Sequence, residues 1–126
     1  DLKKPLEYHF ELGKKLKELR TQGVLIIGSG NVVHNISQVK WDDNSTPYDW
    51  AVEFDQWIEK KSQERDFQAL VHEARNTEAG RLAIPTLEHY LPLLYILGAA
   101  DKKDELTFDI KGIQNGSMSM RSLRFG

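Results

Sequence analysis

The chain contains no cysteine, so any metal it holds must use histidine, aspartate or glutamate, and thiolate nucleophiles and disulfides are excluded. Two of its four histidines sit in segments whose composition suits chemistry. His34 lies in Gly28-Ser29-Gly30-Asn31-Val32-Val33-His34-Asn35. Glycines let a backbone come close to a ligand, and a neutral imidazole can accept or donate a proton near pH 7. A histidine that merely hydrogen-bonds its own loop reads the same way. His89 lies in Pro85-Thr86-Leu87-Glu88-His89-Tyr90-Leu91-Pro92, beside a strongly apolar run. Burying Glu88 and His89 there would be costly without partners. The pair therefore suggests a metal, a substrate or a hydrogen-bond network, and the plain alternative is a polar helix terminus facing water. His9 and His72 lie on amphipathic patterns with no partner spacing and read as structural or surface residues.

These residues need elements to position them. Pro5 suits a first helical turn, and Leu6, His9, Leu12, Leu16 and Leu19 recur at helical spacing over residues 5–21. After Gln22-Gly23, the continuous run Val24-Leu25-Ile26-Ile27 reads as a strand buried on both faces, as in a parallel sheet. The glycine loop then falls at that strand's C-terminal end, where open α/β sheets bind ligands. It lacks both the Gly-x-Gly-x-x-Gly fingerprint and a phosphate-loop lysine, which argues against nucleotide binding.

Residues 42–47 are turn-rich. Trp50, Ala51, Phe54, Trp57 and Ile58 mark a second helix, and Phe67, Leu70, Val71 and Ala74 a shorter third, with Asn76 to Gly80 loop-like. Ile84-Pro85-Thr86 opens a buried helix through Ala99, with Thr86 as its N-cap and Pro92 inside it. An interior proline costs about 3 kcal/mol unless the helix starts nearby or kinks. Leu106 to Ile110 and Ser117 to Phe125 read as two closing strands, with Asn115-Gly116 as the turn between them. The expectation is one α/β domain over residues 1–126, a layered sheet with flanking helices.

Bulk properties narrow the function. In 126 residues, 40% are apolar and 29% charged, and the formal charge is −2. That gives no electrostatic case for nucleic acid or an anionic membrane. No apolar run approaches the roughly 18 residues of a membrane span. Asp1-Leu2-Lys3-Lys4 has no apolar signal region, and a cytoplasmic protein is the expectation. The chain opens without Met, as a trimmed polypeptide also would.

Together the His34 and His89 segments resemble the LigB-type extradiol dioxygenase superfamily, in its single-chain DOPA 4,5-dioxygenase branch. The resemblance extends through Leu93-Leu94-Tyr95, Lys40-Trp41, Ser45-Thr46-Pro47-Tyr48 and Gly116-Ser117-Met118-Ser119-Met120, in order along essentially the whole chain. Leu87 departs from it, since the family often has proline there. The resemblance implies cleavage of a catechol ring by O2 at a non-haem Fe(II), a centre that zinc can also fill. It implies that His34 is the acid/base catalyst, with metal ligation as the alternative, and that His89 is a metal ligand. Glu88, Asn35, Ser29 and Tyr90 are the neighbours expected to touch substrate or support the histidines. Members of that family are about twice this length. Their N-terminal half carries a His-Gly-Ser-Pro and a Ser-Ala-His-Trp-like motif with two further histidine ligands, and neither occurs here. The chain thus reads as a C-terminal half whose partner is the missing N-terminal half. A non-catalytic α/β module, with the two histidines far apart, and a zinc-dependent hydrolase are the alternatives.

Overall fold

The computed structural model describes residues 1–42 and 44–126. Among them are five α-helices and two small antiparallel sheets, the mixed helix-and-sheet class expected from sequence. Helix α1 (Leu6–Arg20) has Pro5 in extended conformation at its N-cap and buries His9, Phe10 and Gly13. Helix α2 (Asp49–Gln63) buries Ala51, Phe54, Asp55, Ile58 and Ser62 along one stripe. Helix α3 (Phe67–His72) is capped by Asp66, whose carboxylate accepts the Ala69 N–H.

The polar stretch expected to be a loop instead contributes to helix α4 (Glu78–Ala83). Thr77 caps it by accepting the Gly80 N–H, which pairs one of the donors that a helix start leaves orphaned. Helix α5 (Leu91–Ala99) starts later than the apolar run suggested. Its N-cap is Tyr90 rather than Thr86, and Pro92 falls in the first turn, where no N–H is needed. The kink or loss of stability expected from an interior proline therefore does not arise.

The core joins Phe10, Val33, Phe54, Ile58, Leu70, Tyr90, Leu94 and Leu97 from several elements. Full burial of each such side chain contributes roughly 1.5–3 kcal/mol. At the far end of α5, the Arg20 guanidinium grips both Asp104 carboxylate oxygens, at 2.6 and 3.0 Å, and the Ala99 carbonyl at 2.9 Å. That grip fastens the end of α1 to the end of α5.

Strand β1 (Leu106–Ile110) pairs antiparallel with β4 (Ser122–Phe125), with a register shift between Thr107 and Ile110. The segment expected as a single strand from Ser117 divides at Met120-Arg121. Its first part, β3 (Met118–Ser119), pairs with β2 (Ile113–Gln114) instead. Asn115 and Gly116, at φ 51° and 74°, make the left-handed turn that joins β2 to β3.

Val24 to Ile27 is a correction. These residues form no strand, and Val24, Leu25 and Ile27 are exposed. An apolar run specifies a wish for burial, and burial requires neighbours. Here only Ile26 of the four is partly covered, and the contact with α5 comes further on, at Gly28 and Gly30.

Candidate functional site

The site forms where the glycine segment crosses the start of α5. A Cβ on Gly28 would lie 2.8 Å from the Pro92 carbonyl oxygen, and one on Gly30 would collide with the His89 carbonyl oxygen. Only glycine permits this approach. Two hydrogen bonds from Asn31 hold the crossing. Its N–H donates to the His89 carbonyl at 2.9 Å, and its side-chain Nδ2 donates to the Ser119 carbonyl at 2.8 Å.

Beyond the crossing the chain is pinned on both sides. The His34 N–H donates to the Ala83 carbonyl at 2.8 Å, Ser119 N–H to the Val33 carbonyl at 3.0 Å, and Asn35 N–H to the Ser117 carbonyl at 3.2 Å. The result brings His34 and His89 together, with ring centroids 3.7 Å apart and planes inclined by 25°. The module alternative placed these histidines far apart, and the structure places them in contact.

Glu88 stands beside the pair, its Oε1 3.9 Å from His89 Nε2. Of the two readings of this pair, the polar terminus open to water is the one the structure shows. Glu88 and His89 side chains are 46% and 37% exposed, because α5 begins only at Leu91 and leaves them in an open turn. The Thr86 hydroxyl donates to the Glu88 carboxylate at 2.7 Å and is the main cause holding its pKa below the ordinary range. Partial burial, and then the neighbouring His89, lower the pKa of His34, which favours its neutral imidazole at pH 7. A neutral ring is the form that can accept a proton.

The remaining candidates divide. Ser29 lines, with His89, a cavity of about 630 Å³ that runs along α5. Asn35 is buried and its amide is engaged, with Nδ2 donating to the Leu82 carbonyl at 2.8 Å and Oδ1 accepting from Ser37 at 2.6 Å. It therefore shapes the His34 loop. Tyr90 is fully buried and its hydroxyl donates to the Leu70 carbonyl at 2.8 Å, so the phenol points into the core rather than toward the histidines. Burial pushes its pKa up. His9 is buried against the Tyr95 hydroxyl at 2.8 Å, and His72 faces Glu7 at 2.9 Å.

Sequence reading missed Asn31 and the cluster behind it. Arg121, almost wholly buried, contacts Asp55 Oδ2 at 2.5 Å and Glu59 Oε2 at 2.8 Å, and the Ser119 hydroxyl donates to Asp55 at 2.6 Å. The detectable signal was Asp55 itself, a carboxylate on the apolar stripe of α2 that must find a cation.

The donor set fits one corner of a metal site. Imidazole lone pairs lie in the ring planes, so stacked rings aim them side by side rather than at one point between the faces. Among the described residues no group of three His, Asp or Glu side chains converges on a common point.

Comparison with known proteins gives a consistent result. Residues 3–120 match the family described as the catalytic LigB subunit of aromatic ring-opening dioxygenase. Over its whole length the chain is 44% identical to a 4,5-DOPA dioxygenase extradiol of Escherichia coli K12, covering 47% of that protein. It is 34% identical to a protein of the same name from Portulaca grandiflora, over 94% of this chain and 44% of the relative. The crystal structure of an uncharacterized protein from Escherichia coli K12 superposes with a TM-score of 0.91 at 44% identity, covering all of this chain and 52% of that one. The chain thus spans about half the length of the curated relatives it matches.

Proposed function

The chain belongs to the family of the catalytic LigB subunit of aromatic ring-opening dioxygenase, and from that premise we propose that it is one part of an extradiol dioxygenase acting on a catechol such as DOPA. The observation that carries this reading is the contact between His34 and His89, with His89 also lining the cavity along α5. The names of the relatives, extradiol dioxygenases of DOPA, supply the substrate class.

In this reading His89, on the open turn, is a ligand of a non-haem Fe(II), and zinc can fill the same place. When bound, Fe(II) supplies the redox chemistry by which both atoms of O2 enter the ring-opened product. The chain's own task is proton handling and orientation. His34, held neutral by its surroundings, accepts a proton from a catechol hydroxyl and returns it as the ring opens. Glu88, tethered by Thr86, keeps negative charge beside the pair, and Asn31 fixes the His89 backbone relative to the His34 loop. The remaining ligands come from the portion of the relatives' length outside this chain, so the chain alone is inactive. No described helix is long and apolar enough to cross a membrane.

The test compares His89→Ala with His34→Gln in the protein that carries both halves. His89→Ala loses iron and oxygen uptake together. His34→Gln keeps iron and catechol binding, and its turnover falls by roughly 10²–10⁴-fold, the usual range for a lost general acid/base. If His34→Gln strips iron as thoroughly as His89→Ala, His34 is a ligand. If neither change affects oxygen uptake, the dioxygenase reading fails.

A further inference from the structure

The segment from Leu25 to Gly30 has an unusual backbone. Among the described residues, none of its N–H or C=O groups takes part in a hydrogen bond; the ties lie just outside, from Val24 N–H to the Leu19 carbonyl and from Asn31 N–H to the His89 carbonyl. Main-chain polar groups are almost always paired in a finished fold. Its side chains follow a period of two. The even positions face α5, where Gly28 meets Pro92 and Ile96, while Leu25 and Ile27 are 80% and 79% exposed. This is the geometry of a strand, without a partner.

A second edge borders the same cavity. Strand β4 pairs with β1 on one side only. The cavity is lined by Val24–Val32, by Ser119–Phe125 and by Pro92, Leu93 and Ile96 of α5. We propose that this groove is the seat of an extended β-strand supplied by the other half of the same protein, which pairs along Leu25–Gly30 and makes that segment part of a sheet. The proposal rests on the reading of the chain as one part of a longer enzyme, and it names how the parts join.

Three arguments select this occupant. The E. coli relative extends well beyond this chain, which covers 47% of it, so the needed polypeptide has a source. A helix satisfies its own backbone and would leave this edge orphaned, whereas a strand completes it. A second copy is disfavoured by its own packing. Its matching segment is locked onto its own α5 through Gly28 and Gly30 and could enter the groove only by carrying that helix with it.

Backbone amide exchange tests the proposal. In the protein carrying both halves, alternate amides between Leu25 and Gly30 should exchange roughly 100-fold or more slowly than in this chain alone, as expected for ladder bonds that open rarely. Fast exchange along the whole segment in both proteins overturns the proposal. So does slow exchange in this chain alone that strengthens with its concentration, since the occupant would then be a second copy. Exchange reads pairing and oxygen uptake reads chemistry, so this proposal and the catalytic reading can fail independently.

Discussion

At the residue scale the site depends on an atom that is missing. Gly30 lets the segment pass the His89 carbonyl at a distance no Cβ tolerates, while the Asn31 N–H binds that same carbonyl. Gly30→Ala should push the two segments apart and separate the imidazoles. Overpacking of this kind typically costs about 1–3 kcal/mol. The effect on chemistry should exceed the effect on stability, because a displacement of about 1 Å in a positioned group can cost on the order of 10²-fold in rate. The check is urea unfolding and oxygen uptake on Gly30→Ala and on Asn31→Ala in the protein carrying both halves. Asn31→Ala keeps the N–H and loses only the bond to Ser119, so it should be the milder of the two, losing about 0.5–1.5 kcal/mol. Equal activity in Gly30→Ala and the unaltered protein would show that the crossing does not position His89.

At the scale of elements, the unit that holds the site segment is β3, and what holds β3 is the buried charge cluster behind it. Ser119 takes its place through Asp55, and Asp55 is matched by Arg121, whose side chain is 3% exposed. Arg121→Ala leaves Asp55 buried and uncompensated, and such a loss costs about 3–5 kcal/mol. Replacing both, as in Asp55→Leu with Arg121→Met, should recover much of it, because the desolvation of both charges disappears together. Denaturant unfolding of the three variants decides it; a loss of less than about 1 kcal/mol in Arg121→Ala would mean that the pair is solvated. Little of this was legible in the sequence. Helices α1, α2 and α3 followed from apolar spacing, because each buries residues against neighbours within the chain; strand β1 has its expected bounds although none of its residues is buried. The Asn76–Gly80 stretch misled because its polarity concealed a Thr77 cap. Val24–Ile27 misled because its composition reports a burial that these residues alone do not complete. The histidine pair was legible as two motifs; their contact, and Asn31's role in it, needed three-dimensional register between segments over 50 residues apart in sequence.

At the scale of the whole molecule, ligand count decides what this chain can hold. Its two site imidazoles lie face to face, with Glu88 3.9 Å from His89 and bound instead to Thr86. Non-haem iron sites generally need about three protein ligands, set so that their lone pairs converge and open positions remain for substrate and oxygen. One accessible imidazole beside a stacked partner falls short of that. Each missing ligand also leaves a coordination position to water, so an ion here would exchange freely with buffer. The 126-residue chain, loaded with Fe(II) or zinc and then dialysed, should therefore retain well under one metal per chain, while the protein with both halves retains a full complement. His89→Ala should abolish the residue of binding in the chain, and His72→Ala, which alters a surface histidine paired with Glu7, should leave it unchanged. Stoichiometric metal surviving dialysis in the chain alone, and lost on changing either His34 or His89, would show that the rings turn to converge on the ion and that the ligand set assigned to this chain is incomplete.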